Sequence, residues 1–216
     1  MVTVALPPPT TEGALADLLE GLGNVPPERI LTKPPLGTAT EQDALEVDRR
    51  KGLTPELIDG VLVEKTVRYA ESRLALILAF RLEEFIGPRK LGWLGGADGP
   101  LKILPDQIRV PDLSFISRDQ FPSGEMPDVP IPRIAPDLAV EILSRGNTQG
   151  EMQRKLVDYF AAGVRLVWYI DPREKMVRVY TTPNQCSTLG EDGLLDGGEV
   201  LPGFRLELKE LFAKFL

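Results

Sequence analysis

The stretch that decides the fold runs from residue 135 to residue 172 and reads APDLAVEILSRGNTQGEMQRKLVDYFAAGVRLVWYIDP. Its first part, Leu138–Ser144, is short and almost wholly apolar, which is typical of a strand buried at the centre of a sheet. Thr148 and Glu151 have the spacing of a capping box and predict the start of a helix. A second apolar run, Arg165–Ile170, predicts another strand. The stretch therefore predicts a strand, a helix and a second strand in one α/β unit.

The sequence before this unit predicts two more helices and several strands. Thr38 and Glu41 form a second capping-box pair, from which a helix is expected to run to about residue 51. Apolar residues at helical spacing follow, and Gly87-Pro88 is predicted to end the helix that they form. Gln107–Ile116 is predicted to be a strand. The expected fold class is α/β (α+β), with a central mixed β-sheet flanked by helices.

The proline distribution divides the chain unevenly. Residues 1–37 contain a proline triplet and two proline pairs with little periodic pattern, and they are predicted to form an N-terminal extension. Residues 38–216 are predicted to form one domain, because a chain of 216 residues is long enough for one well-buried core.

The composition excludes several classes of catalyst. The chain contains no histidine, which rules out Ser-His-Asp and Cys-His nucleophilic sites and every metal site that needs a histidine ligand. The one cysteine, Cys186, excludes an internal disulfide and a cysteine-rich zinc site. Carboxylate, lysine and backbone chemistry remain, together with metals that prefer oxygen ligands.

Net charge and hydropathy limit the cellular location and the binding partners of the chain. The net charge of −7 argues against indiscriminate binding to polyanions, although local patches still decide whether nucleic acid binds. No apolar run approaches the ~20 residues that span a membrane, and the N-terminus lacks the basic start of a signal peptide. The sequence therefore predicts a cytoplasmic protein without a membrane partner.

Two acids and one lysine are the candidate functional residues. Asp112 and Glu141 each lie in a predicted strand among apolar neighbours, where an uncompensated carboxylate costs several kcal/mol. Lys155 lies at the margin of the apolar stripe of its helix, about 80° from the centre, so it can reach back toward the strand of Glu141. Arg154 points the opposite way and is expected to be solvated. Two carboxylates and a lysine at a sheet edge suit metal-assisted hydrolysis of a phosphodiester.

Each of these residues also has a purely structural interpretation. Lys155 can be a helix-flank lysine whose amine extends to solvent, Asp112 can cap a turn after proline, and Glu141 can belong to a buried structural ion pair. Spacing alone does not choose between the structural and the catalytic interpretation.

Five sequence blocks in order give the chain a family resemblance. The blocks GVLVEK (60–65), VPDLSF (110–115), APDLAVEILS (135–144), MQRKLVDYFAAGV (152–164) and RLVWYIDP (165–172) resemble the Uma-two family. This family has a restriction-endonuclease-like fold and belongs to the PD-(D/E)XK nuclease superfamily. The resemblance covers about residues 38–216 and implies a restriction-endonuclease-like core.

The resemblance also implies roles for particular residues. Asp112, Glu141 and the backbone carbonyl of Ile142 would be ligands of Mg²⁺ or Mn²⁺, Lys155 would be the catalytic lysine, and Glu64 would be an auxiliary acid. The superfamily usually places the lysine two residues after the second acid, which is Leu143 here. In the Uma-two branch the following helix supplies it, in agreement with the position of Lys155.

A second departure concerns the start of the long helix. Members of the family often have a histidine there, and Glu71 or Ser72 stands in that region of this chain.

Three functional hypotheses follow. The first is a Mg²⁺-dependent endonuclease acting on DNA, expected as a homodimer so that two sites can address two strands. The second is a catalytically inactive nuclease-fold protein that binds nucleic acid or a protein partner, which the acidic net charge favours. The third is a hydrolase of another phosphate ester, which predicts a closed pocket too small for a polynucleotide.

Overall fold

The computed structural model describes residues 11–66, 68–121 and 123–213. The described residues contain five α-helices. They are α1 (Thr11–Gly21), α2 (Glu41–Lys51), α3 (Tyr69–Arg89), α4 (Gln149–Ala161) and α5 (Leu208–Ala213).

The smaller of the two main sheets has five short strands, and all of its pairings are antiparallel. In spatial order they are β1 (Ile30–Leu31), β3 (Val61–Val63), β2 (Glu56–Ile58), β6 (Gln107–Arg109) and β5 (Leu101–Leu104).

The larger sheet has six strands and is mixed, as the sequence predicts. In spatial order they are β11 (Gln185–Leu189), β10 (Met176–Thr182), β9 (Leu166–Asp171), β8 (Leu138–Ile142), β7 (Leu113–Ser117) and β4 (Gly92–Gly95). Strands β8 and β9 pair in parallel because α4 connects them, and the other neighbours pair antiparallel. A separate hairpin pairs β12 (Leu194–Asp196) with β13 (Arg205–Glu207).

Strand β8 is buried on both faces, and its alternation decides where Glu141 points. Val140 and Ile142 pack in the cluster that contains the buried face of α3, whereas Ala139 and Leu143 pack in the cluster that contains α4. Because side chains alternate along a strand, Glu141 lies on the α4 side of the sheet.

The start of α2 differs from the sequence prediction. The capping box is formed by Thr40 and Asp43, not by Thr38 and Glu41. Asp43 Oδ2 accepts the backbone N–H of Thr40 at 2.8 Å, whereas the Thr38 hydroxyl donates to the carbonyl of Pro35 at 2.7 Å. Thr38 therefore belongs to the preceding turn, and the helix begins at Glu41.

The prediction that Gly87-Pro88 ends α3 is also wrong. The helix continues to Arg89, and Lys90 ends it in a left-handed conformation with φ 54°. Pro88 lies in the last turn, and proline has a backbone φ close to that of a helix. The helix therefore ends one residue after Pro88.

The run Gln107–Ile116 is broken into two strands that belong to different sheets. Strand β6 ends at Arg109, Val110-Pro111 crosses over, and β7 begins at Leu113. Pro111 has no N–H to donate to a ladder, which is consistent with a break at this point. The crossover places Asp112 at the junction between the two sheets.

The segment before residue 38 packs on the rest of the molecule where it is described. Leu22 and Val25 are buried, and β1 extends the smaller sheet. Arg29 Nη2 lies 2.8 Å from Glu151 Oε1 on α4. The predicted boundary at residue 37 stays a prediction, and residues 1–10 lie outside the described part of the chain.

The sequence predicts no membrane-spanning helix. In the described ranges, no helix combines the length and the apolar composition that crossing a bilayer requires.

Candidate active site

Asp112 is held at the sheet junction by two backbone contacts with β8. Its N–H donates to the carbonyl of Val140 at 2.9 Å, and its Oδ2 accepts the N–H of Ile142 at 2.6 Å. Its Oδ1 lies 2.9 Å from Lys65 Nζ, which also donates to the carbonyl of Val110 at 2.7 Å. The carboxylate is therefore fixed beside the strand that carries Glu141.

Glu141 is buried on the α4 side of β8, with an exposed fraction of 4%. Its Oε1 accepts from Lys155 Nζ at 3.0 Å and from the Tyr159 hydroxyl at 2.5 Å. Lys155 and Tyr159 are one helical turn apart on α4, so both reach the same carboxylate oxygen.

Lys155 reaches back to the sheet as the sequence predicts. Met152 and Leu156 on α4 are buried, and the Lys155 side chain beside them is only 3% exposed. The interpretation as a solvent-seeking lysine is therefore wrong. The prediction that Arg154 is solvated is also wrong, because Arg154 Nε donates to Asp158 Oδ1 at 2.9 Å and its other nitrogens bond elsewhere in the chain.

Glu56 is the residue that the sequence reasoning missed. It lies on β2 in the smaller sheet, and its Oε1 is 3.0 Å from Lys155 Nζ. Its Oε2 accepts from Arg109 Nη1 at 2.8 Å, and Arg109 also pairs with Asp158 on α4. A glutamate directly before the apolar pair Leu57-Ile58 was the available signal, since an acid in a buried strand needs a partner.

The charges around Lys155 set the protonation of the cluster. Burial alone would raise the pKa of Glu56, but the positive charges of Lys155 and Arg109 outweigh it and lower that pKa to about 2. Burial would lower the pKa of Lys155, but Glu141 and Glu56 outweigh it and raise that pKa. Lys155 is therefore a fixed ammonium group held between two carboxylates from different sheets.

Glu141 is the acid that the environment disfavours in its charged form. Burial raises its pKa, the charge of Lys155 opposes that rise, and the neighbouring charge of Asp112 adds to it. A further positive charge near Glu141 and Asp112 would relieve this cost.

A small cavity of about 20 Å³ lies where these elements meet. This volume is enough for one water molecule. Glu71, at the start of α3, contributes Oε2, which is buried without a hydrogen-bond partner. The lining is mostly charged or polar: Arg29, Lys65, Thr66, Glu71, Asp112, Glu141, Ile142, Ser144, Asn147, Glu151 and Lys155.

A larger cleft of about 600 Å³ adjoins this cavity and shares Arg29, Lys65 and Thr66 with it. Glu64 lines the cleft and not the small cavity. The structure thus brings Asp112, Glu141 and Lys155 together and leaves Glu64 at the outer edge. The cleft beside the small cavity is large enough for more than a single phosphate group.

The donor set of the small cavity suits a hard divalent cation. Among residues 11–66, 68–121 and 123–213, no three histidine, cysteine or acidic side chains are grouped as a ready-made metal site. Mg²⁺ is commonly held by one or two carboxylates together with waters and substrate phosphate. Asp112 and Glu141 are two carboxylates of that kind, and the cavity also contains the unpartnered oxygen of Glu71, so the residues present fit an ion that takes its other ligands from water and substrate.

Fold and site together define a restriction-endonuclease-like α/β protein with an acid–acid–lysine cluster at a sheet junction. The family model of Uma2, described as "Putative restriction endonuclease", matches residues 40–209. The chain belongs to this family.

A solved structure from Anabaena variabilis ATCC 29413, described as a putative nuclease belonging to DUF820, has the same fold. The TM-score is 0.68 at 23% sequence identity, over 77% of this chain and 93% of that one. No curated protein matches the sequence.

Proposed function

We propose that the protein is a metal-dependent endonuclease that hydrolyses phosphodiester bonds of DNA. One observation carries the proposal: Asp112, directly before β7, and Glu141, on the neighbouring strand β8, line one cavity together with the buried ammonium group of Lys155. Family membership supports the nuclease class.

Asp112 and Glu141 would hold the cation, which we propose to be Mg²⁺ or Mn²⁺, with the carbonyl of Ile142 as a further ligand and Glu71 as a candidate one. When bound, the cation would polarise the phosphate and lower the pKa of a water molecule. The Asp112 carboxylate is pre-positioned for this task, because the N–H of Ile142 and the amine of Lys65 fix both of its oxygens.

Lys155 would stabilise the negative charge that develops on the phosphate. Its ammonium group cannot move far, since Glu56 and Glu141 each hold it at 3.0 Å. At ~4 Å and an effective dielectric constant near 20, a contact between unit charges is worth about 4 kcal/mol. Glu56 does not reach the cavity lining and is therefore a positioning residue for Lys155.

The adjoining cleft supports a polymeric substrate. Its charged side chains are of both signs: Arg29, Lys65, Arg68, Glu28, Glu64 and Asp98. The cleft is not strongly basic, but its positively charged and polar groups can contact a sugar–phosphate backbone. We propose Glu64, which lines the cleft beside the small cavity, as an auxiliary acid.

The remaining parts of the proposal concern assembly and location. We propose a homodimer, in which two sites address two strands, and a cytoplasmic location, which the single cysteine supports.

A second function is favoured by a separate observation. Asp112 is paired with Lys65 and Glu141 with Lys155, so both proposed metal ligands already have a cationic partner. This arrangement suits a catalytically inactive nuclease-fold protein that binds nucleic acid or a protein partner, and the net charge of −7 agrees with it.

Calorimetric titration with Mn²⁺ separates the two functions. We expect the wild-type protein to bind Mn²⁺, and the variants Asp112→Asn and Glu71→Gln to bind it more weakly. Glu46→Gln is the control, because Glu46 lies on α2, outside the cavity, and pairs with neighbouring arginines of its own helix. Binding that is absent, or equal in wild type and Asp112→Asn, would leave the inactive binding protein as the better account.

A further inference from the structure

The long helix α3 has an apolar face that nothing in the described part of the chain covers. Its packed face carries buried residues such as Leu74, Leu78 and Leu82. On the opposite side, exposed fractions are 85% for Tyr69 and 69% for Leu76, and Phe80 is 63% exposed. A row of large exposed apolar side chains on one helix marks an interaction surface.

Helical geometry puts these residues on one narrow stripe. At 100° per residue, Tyr69, Leu76 and Phe80 point within about 40° of one another, away from the packed face. Exposed Arg73 lies on one flank of this stripe and exposed Glu83 on the other. We call the five residues the α3 stripe.

The α3 stripe is complementary to itself when a second copy runs antiparallel. Leu76 and Phe80 lie equally far before and after Leu78, and so do Arg73 and Glu83. An antiparallel partner centred at Leu78 would therefore set each Leu76 against a Phe80 and each Arg73 against a Glu83. This is the isologous arrangement of a two-fold symmetric dimer.

The end of the stripe has the same symmetry. Tyr69 and Gly87 are also equidistant from Leu78, so the most exposed aromatic ring would meet a position without a side chain. We infer that α3 pairs antiparallel with α3 of a second copy of this chain, which forms a homodimer through the α3 stripe. The charge order selects a second copy, because an unrelated partner has no reason to match opposite charges at mirrored positions.

The pairing fixes the distance between the two candidate sites. Glu71 lies seven residues before Leu78, so at 1.5 Å per residue the two Glu71 positions are roughly 21 Å apart along the helix pair. The inference concerns the dimer contact alone and does not rest on the proposed nuclease chemistry.

Sedimentation velocity over about 1–100 µM protein tests the contact, a range that suits an interface of one helix pair. We expect a concentration-dependent dimer for the wild type and at least about tenfold weaker dimerisation for Leu76→Asp. Val157→Asp is the control, since Val157 is an exposed apolar residue on α4 and lies outside the stripe. Circular dichroism of each variant separates lost dimerisation from lost folding.

Charge reversal tests the register. Arg73→Glu and Glu83→Arg should each weaken the homodimer, because like charges then face each other twice. The double variant, or an equal mixture of the two single variants, should restore dimerisation. A wild-type monomer across the range, a dimer indifferent to Leu76→Asp, or a double variant that stays weak would each overturn the inference.

Discussion

The buried contact between Glu56 and Lys155 gives the most quantitative prediction. The substitution Glu56→Gln keeps the shape of the side chain and removes its charge. Lys155 then loses the carboxylate of Glu56 and keeps that of Glu141, and Arg109 loses Glu56 and keeps Asp158. Both cations are almost fully buried, so neither can recover the loss by turning to solvent.

The magnitude follows from the pKa of Glu56. That pKa falls from the ordinary value of 4.5 to about 2 in the folded protein, which corresponds to about 3 kcal/mol of stabilisation at neutral pH. Removal of one partner from a buried ion pair costs about 3–5 kcal/mol in other proteins, which agrees. We expect Glu56→Gln to lower the free energy of unfolding by about 3 kcal/mol.

The assay is urea unfolding of wild type and variant across pH. Because the pKa of Glu56 is lowered on folding, its stabilisation is fully present above about pH 4.5 and is lost as the pH falls toward 2. The difference between wild type and Glu56→Gln should therefore be constant at neutral pH and shrink below about pH 4.5. The exposed pair of Glu46 and Arg50 provides a control, and Glu46→Gln should cost less than about 1 kcal/mol. A loss below about 1 kcal/mol for Glu56→Gln at pH 7, or a difference that does not shrink in acid, would show that the charge of Glu56 does not stabilise the fold.

Two further predictions concern residues that pack against the site and against the start of α4. Tyr159→Phe removes the hydroxyl that donates to Glu141 at 2.5 Å, so the free energy of unfolding in urea at pH 7 should fall by about 2 kcal/mol. A fall of less than about 0.5 kcal/mol would mean that this hydrogen bond contributes little to stability. Gly23→Ala should cost about 2 kcal/mol or more in the same assay, because φ at Gly23 is +75° and a Cβ would lie 2.4 Å from the backbone of Gly150 at the start of α4. Gly21→Ala is its matched control, since a Cβ there meets nothing within 4 Å, and equal stability of the two variants would contradict the packing of this segment on α4.

The part of the fold that the sequence predicts is the part with strong periodicity. Strand β8, the helix α4 and the parallel strand β9 follow directly from apolar patterns and a cap, and they position Glu141 and Lys155. The predicted contact between Lys155 and the strand of Glu141 is confirmed, because the angular position on a helix can be calculated from residue number.

What the sequence does not predict depends on contacts between distant segments. The two-sheet arrangement breaks one apparent strand at Pro111, and a local pattern contains no information about which sheet each half joins. Glu56 approaches Lys155 from a segment far away in sequence, so its role appears only when both sheets are present. The roles of Asp112, Glu141, Ile142 and Lys155 in catalysis stay predictions.

Cleavage of supercoiled plasmid DNA distinguishes a metal-dependent nuclease from a protein that only binds. With Mg²⁺ present, the wild-type protein should convert plasmid to nicked or linear product, and a chelator should stop the reaction. Asp112→Asn, at equal folded concentration, should be slower by about a hundredfold, because the variant loses a carboxylate that would hold the cation. Plasmid left intact by the wild type with either Mg²⁺ or Mn²⁺, or cut equally fast by Asp112→Asn, would contradict the account.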